Sequence, residues 1–264
     1  MMIKTIVLVT VHKAYPLPAL PSGYKPIQVG SMPCISNQFL RDDSGDNISD
    51  RNNHYCELTA LYWAWKNLDA DILGLCHYRR YPGSPVSLFS RVLRRKRCRI
   101  LDGEQIEMML KGYDIIMPKK RHYWIETRGN QYAHAHHFED LEMTERVLQE
   151  KCLSFIPAWK HMLASRSGHI CNMFIMRREL ANEYCAWLFD ILFEVERRLD
   201  ISSYSDNDRR VFGFLGERLL DVWVETKKLR YVEVPMINLE KQRWIRKGFA
   251  FVKRKVNRRE ERRS

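Results

Sequence analysis

Residues 71–81 read DILGLCHYRRY, an apolar run that passes without a turn into His77, Tyr78, Arg79, Arg80 and Tyr81. The apolar part, 71–76, has the length and continuity of a strand buried on both faces of a parallel sheet. Upstream, residues 3–11 (IKTIVLVTV) form a second such run, rich in β-branched residues. Between them Tyr55, Leu58, Tyr62 and Trp65 recur at i, i+3, i+7 and i+10, which predicts a helix over 53–67 with Asn52 or Asn53 as N-cap. Strand, helix, strand in that order implies an α/β fold with a doubly wound, mostly parallel sheet flanked by helices. Ligands of such sheets bind beyond the carboxyl ends of the strands, where His77–Tyr81 falls.

Working outward, residues 14–50 are rich in Pro, Gly, Asp and Ser and read as loops with short strands. Residues 82–100 break the pattern with Pro82, Gly83 and Pro85 and carry six basic residues over 91–99. Helices are predicted over 104–111, 138–151, 157–165, 180–199 and 207–225. Strands are predicted over 113–117, 169–176 (interrupted by Asn172) and 231–235. Residues 119–137 read as a polar loop rich in His and aromatics. No internal repeat is present, and the chain divides into a globular part, 1–240, and a basic tail, 241–264.

The formal charge of +12 is uneven. Residues 241–264 hold eleven Lys/Arg against Glu260 and Glu261, a net of +9 that leaves +3 for the other 240 residues. A nucleic-acid-binding core is therefore not expected. Ile245, Phe249, Val252 and Val256 share one helical face of the tail, the pattern of a helix lying in the surface of an anionic membrane. The basic 91–99 segment offers a second contact. No stretch approaches the roughly 20 apolar residues of a membrane span. The amino terminus reads as a strand, not a signal peptide. Seven cysteines, odd in number and without a CxxC pair, suit reduced thiols and a cytoplasmic protein held peripherally at the inner membrane.

The segments NNHYCELTALYWAWKN (52–67), LGLCHYRRY (73–81), DNIS (46–49), YDIIMP (113–118), NMFIM (172–176), YCAWLF (184–189) and GFLGERLLDVW (213–223) occur in this order. Together they resemble a family of bacterial capsule and exopolysaccharide glycosyltransferases, long catalogued as a domain of unknown function, over residues 3–238. The resemblance implies a GT-A-like, Rossmann-like domain that takes a hexose from a nucleotide sugar, UDP-linked by expectation. The acceptor it implies is a polyprenyl-diphosphate-linked oligosaccharide of capsule, O-antigen or exopolysaccharide synthesis, with galactofuranose among the candidate sugars. A non-catalytic nucleotide-sugar-binding or scaffold subunit is the alternative, and a nucleic-acid-binding protein a more distant one.

Such a transfer needs a diphosphate clamp, a base for the acceptor hydroxyl and a stabiliser for the leaving phosphate. Many GT-A enzymes hold a divalent metal on an Asp-x-Asp after an internal strand. The equivalent place here is His77-Tyr78-Arg79-Arg80, so Arg79 and Arg80 are expected to neutralise the diphosphate without metal or other cofactor. Thr10, His12 and Lys13 end the first strand, where the nucleotide seats in GT-A folds. Asn53, Glu57 and Lys66 on the 53–67 helix and Asn172 are further donor-side candidates. Glu217, with Arg218 to hold it ionised, is the expected general base of an inverting transfer. Asp206 and Asp208 are rival acids, and His137 with Asp140 an acceptor-side pair. The three histidines 134, 136 and 137 invite a zinc reading, but no fourth ligand is evident.

Overall fold

The computed structural model describes residues 3–84 and 99–240. The tail over 241–264 and nearly all of the basic 91–99 segment lie outside the described residues, as do the expectations placed on them.

The strands are β1 (Thr5–Val11), β2 (Tyr24–Gln28), β3 (Leu40–Arg41), β4 (Ile72–His77), β5 (Arg80–Pro82), β6 (Ile115–Pro118), β7 (Arg121–His122), β8 (Ser167–Gly168), β9 (Phe174–Arg177), β10 (Tyr231–Val234) and β11 (Met236–Asn238). The main sheet runs β10-β6-β9-β4-β1-β2-β3. Along that path β1 is parallel to β2 and β4, β2 to β3, and β10 to β6, while β9 opposes both its neighbours. The mostly parallel sheet expected from the sequence is present, with one reversed strand in its middle. β5 folds back from β4 at His77 and pairs with β11; β7 and β8 form a separate two-stranded ribbon.

The helices are α1 (Asn52–Tyr55), α2 (Leu58–Asn67), α3 (Gly103–Met109), α4 (Arg128–Ala135), α5 (Glu139–Lys151), α6 (Ile156–Ala164), α7 (Arg178–Arg198) and α8 (Val211–Thr226). Alternation along β1 splits the core into two layers. Ile6 and Leu8 enter the layer built with α2, α5, α6, α7 and α8, whereas Val7, Val9 and Val11 enter the layer closed by Ile106 and Leu110 of the α3 region. Apolar burial on both faces explains the continuous runs seen in β1 and β4.

Several boundaries differ from the sequence expectation for physical reasons. Residues 119–137 are not all loop: Thr127 caps α4 by accepting from the Asn130 amide. β2 contains Pro26, which hid it inside a Pro-rich stretch. Two further differences, a break in the 53–67 helix and a turn at Asn172, both shape the site. No helix among the described residues is long and apolar enough to cross a membrane.

Candidate active site

The helix expected over 53–67 is interrupted at Cys56, which takes φ 53° and ψ −131°. Asn52 Nδ2 donates to the Cys56 carbonyl at 2.8 Å and to Thr59 Oγ1 at 2.9 Å, and Thr59 Oγ1 donates to the same carbonyl at 3.1 Å. These bonds satisfy the groups freed by the break. The break brings Glu57 to Asn172, whose Nδ2 donates to Glu57 Oε1 at 3.1 Å and to the Gly213 carbonyl at 3.0 Å.

Asn172 is itself held in a turn. Cys171 and Asn172 have φ of 76° and 45°, two left-handed non-glycine residues in succession, so the strand expected over 169–176 begins only at Phe174. Such conformations cost free energy and concentrate where a site needs them. The start of α8 closes over this turn. A Cβ on Gly216 would come within 2.7 Å of Leu58 Cδ1 and 3.0 Å of Asn172 Oδ1, and one on Gly213 within 3.0 Å of Cys56 Sγ. A larger residue at either position would require these neighbours to shift.

The electrostatics divide this cluster of side chains in two. On the β1/β4 side, His77 is pushed down to about 3 by burial and by the charges of Arg79 and Arg80. Its Nδ1 accepts from the Arg79 amide at 3.3 Å, so the neutral ring carries its proton on Nε2 as a donor. His12 is lowered too, by partial desolvation and then by Arg79, Lys13 and Arg210. Two histidines whose protonation is disfavoured by burial and then by surrounding cations mark a region poised for an anion. On the α8 side the sign reverses. Burial, then the charge of Glu217, pushes Glu57 up to about 7 from 4.5. Glu217 is half-buried and makes no hydrogen bond or ion pair among the described residues. Arg210, just before α8, lies between the halves: it donates to Cys56 Sγ at 3.2 Å and its charge reaches Glu57 and Glu217.

The raised Glu57 carries a stability prediction. A carboxyl with a higher pKa folded than unfolded contributes stability that is complete below about 4.5 and lost as pH rises through about 7. Glu57→Gln is therefore expected to match the native chain in Tm near pH 5 and to exceed it near pH 8 by about 1–2 kcal/mol of stability, a few degrees. Thermal unfolding at the two pH values checks this, and an equal Tm at pH 8 would contradict it.

The remaining sequence-predicted residues are distributed as follows. Arg80 Nη1 donates to Cys171 Sγ at 3.2 Å, between the anion-poised region and the carboxylates. Arg79 lies over the Tyr78 ring and pairs with Glu240 at 3.0 Å. Tyr78 is buried beneath His12, His77 and Tyr15 and acts as a floor. Asp208 accepts from His136 at 2.9 Å and lies 3.8 Å from His137, which stacks on Tyr204. Asp206 and Asn53 are exposed.

Four residues have partners outside this cluster. Thr10 is buried, its hydroxyl donating to the Cys76 carbonyl. Lys66 stands at the far end of α2, roughly 13 Å along the helix from Glu57, over the Trp65 ring and 3.9 Å from Asp46. Asp140 is 1% exposed, and its two oxygens accept from Tyr132 and Tyr204. Arg218 is buried over Tyr132, donates to the Phe214 carbonyl and makes no ion pair with Glu217 among the described residues. Glu217 itself lies in the second turn of α8. Sequence reasoning missed Arg210, Cys56 and Cys171. The 204–210 segment was read for its acids, and Arg210 is visible in it only as the basic residue that precedes a glycine-bearing helix. Among the described residues no group of three or more His, Cys, Asp or Glu is arranged to hold a metal ion.

Residues 6–228 match the family described as Domain of unknown function DUF4422. The chain belongs to this family. A search of curated proteins finds no match. The DUF4422 fold is also that of a solved structure, the WbbM bifunctional glycosyltransferase in its apo form, with a TM-score of 0.78 and 26% sequence identity over 90% of this chain. The match takes in 46% of that enzyme, so this DUF4422 chain spans less than half its length. The architecture is GT-A-like, as the sequence blocks implied.

Proposed function

We propose that this chain is a glycosyltransferase that moves a hexose from a nucleotide sugar to an acceptor hydroxyl, with inversion and without a metal. The observation that carries the reading is a two-signed cluster of side chains: Arg79, Arg80 and Arg210 around neutral His12 and His77 on one side, Glu57 and Glu217 on the other. In the proposed step the acceptor oxygen attacks the anomeric carbon as Glu217 takes the hydroxyl proton. The bond from that carbon to the diphosphate oxygen breaks, and the departing nucleoside diphosphate keeps the electron pair. Guanidinium groups stabilise that charge through charge-assisted hydrogen bonds, and His77 Nε2–H adds a neutral donor. Asn172 fixes Glu57 beside the reacting centre.

The fold shared with half of a bifunctional glycosyltransferase supports this reading. The finer assignment is a UDP-sugar donor, with galactofuranose as one candidate, and a polyprenyl-diphosphate-linked acceptor of surface-polysaccharide synthesis at the inner face of the membrane. It rests on the sequence resemblance and on the basic tail. A thermal-shift screen against UDP-, GDP-, CMP- and dTDP-sugars tests the donor class. Stabilisation by UDP-sugars above the others is the expected result; no shift with any nucleotide sugar contradicts the reading.

A further inference from the structure

Between β6 and α4 the chain turns its largest apolar side chains outward. Trp124 is 87% exposed and Ile125 61% exposed. Large apolar residues presented side by side at a loop tip mark a contact surface. The loop is braced on both sides of the tip: β7 pairs with β8, the Tyr123 amide donates to the Arg166 carbonyl at 2.7 Å, and the Arg128 amide donates to the Ser165 carbonyl at 2.8 Å. Trp124 and Ile125 thus stand on a supported ledge.

The ledge is rimmed with cations. Lys119, Arg121 and Arg166 are exposed and have no carboxylate partner among the described residues. Lys120 bonds the Tyr231 hydroxyl at 2.9 Å. The acids nearby are occupied: Glu126 by His134, Glu233 by His169, and Asp221 by His169 and Arg128. An apolar tip with a tryptophan, ringed by unpaired cations, has the chemistry of a bilayer interface bearing anionic lipid. His122 lies beside the Trp124 ring, 6.2 Å between centroids, while exposed Ile125 extends the apolar surface on the other side in sequence. The ledge also lies near the site, since the charge of Arg121 reaches Cys171, the residue that accepts from Arg80.

We propose that Trp124 and Ile125 form a wedge that enters an anionic lipid surface, with Lys119, Arg121 and Arg166 against lipid phosphates. The wedge holds the cleft at the membrane surface independently of the tail. The inference does not rest on the transfer reaction, because lipid binding is measured without a donor.

The test uses the full chain and phosphatidylglycerol-rich vesicles whose acyl chains carry bromine, which quenches inserted tryptophan. Quenching is expected to be smaller in Trp124→Phe than in the native chain, by the share that Trp124 contributes. Vesicle flotation of Trp124→Ala/Ile125→Ala is expected to fall at least about tenfold, and that of Lys119→Ala/Arg121→Ala to fall at low salt, with the difference from the native chain vanishing as salt is added. All four side chains are exposed or half-buried at a loop, and an unchanged Tm verifies the fold of each variant. Equal quenching in native and Trp124→Phe protein, or equal flotation of the double-alanine variant, would overturn the proposal. So would protection of Trp124 from a soluble quencher by oligosaccharide but not by vesicles, which would make the ledge a sugar platform.

Discussion

Glu217→Gln is expected to bind a nucleotide sugar as tightly as the native chain and to transfer it roughly 10²–10⁴-fold more slowly, the range that a positioned base contributes. The expectation follows from what surrounds the side chain. Glu217 is half-buried and makes no hydrogen bond or ion pair among the described residues, so Gln replaces it without leaving a buried partner unsatisfied. The nearby positive charge of Arg210 and the neighbouring Glu57 set its environment. Because the raised pKa belongs to Glu57, Glu57 carries the proton at neutral pH more readily than a free carboxyl would. Calorimetric titration of the donor, paired with transfer rates, separates the outcomes. A rate that is unchanged means that Glu217 is not the base, and a loss of donor affinity in step with the rate makes it a binding residue.

The guanidinium groups carry the second large effect. Arg80→Ala and Arg210→Ala are each expected to lower turnover by about 10–100-fold, since a hydrogen bond to a charged group contributes about 1.5–3 kcal/mol. Lysine at either position should recover only part of the loss, because an ammonium supplies the charge without the planar fork. Arg79→Ala is expected to do less. Its partner Glu240 is half exposed and the pair is solvent-accessible, so the diphosphate must first displace a carboxylate whose hold is weak. Steady-state rates for the three variants rank these effects; a larger loss at Arg79 than at Arg80 and Arg210 would reverse the assignment of the clamp.

The sheet was legible because β1 and β4 are buried on both faces and therefore read as unbroken apolar runs, and the polar cluster after β4 marks their carboxyl ends. The reversed direction of β9 was not legible, since strand direction leaves no trace in an apolar run of four residues. Glu57 is a donor-side candidate in the sequence, but what brings it to Asn172 is a backbone break at Cys56. Helical periodicity runs straight through that break, because Tyr55, Leu58 and Tyr62 pack on the same core on either side of it. Arg210 went unnoticed because its role depends on a neighbour, Cys56, that lies 154 residues away in sequence. Lys66 and Arg218 show the opposite case: each is adjacent in sequence to another candidate, and helical geometry turns the one to Asp46 and buries the other over Tyr132. Spacing along a chain identifies chemistry more readily than it identifies direction.

The reading of the cleft stands on arginine acting where many GT-A enzymes use a cation. Calorimetric titration of UDP into the native chain and into Arg79→Ala/Arg80→Ala, both in excess chelator, addresses it most directly. Binding by the native chain in chelator, weakened at least about 30-fold in the variant, is the predicted result. Native protein that binds UDP only once manganese is restored, or a variant that binds as tightly as the native chain, would contradict it.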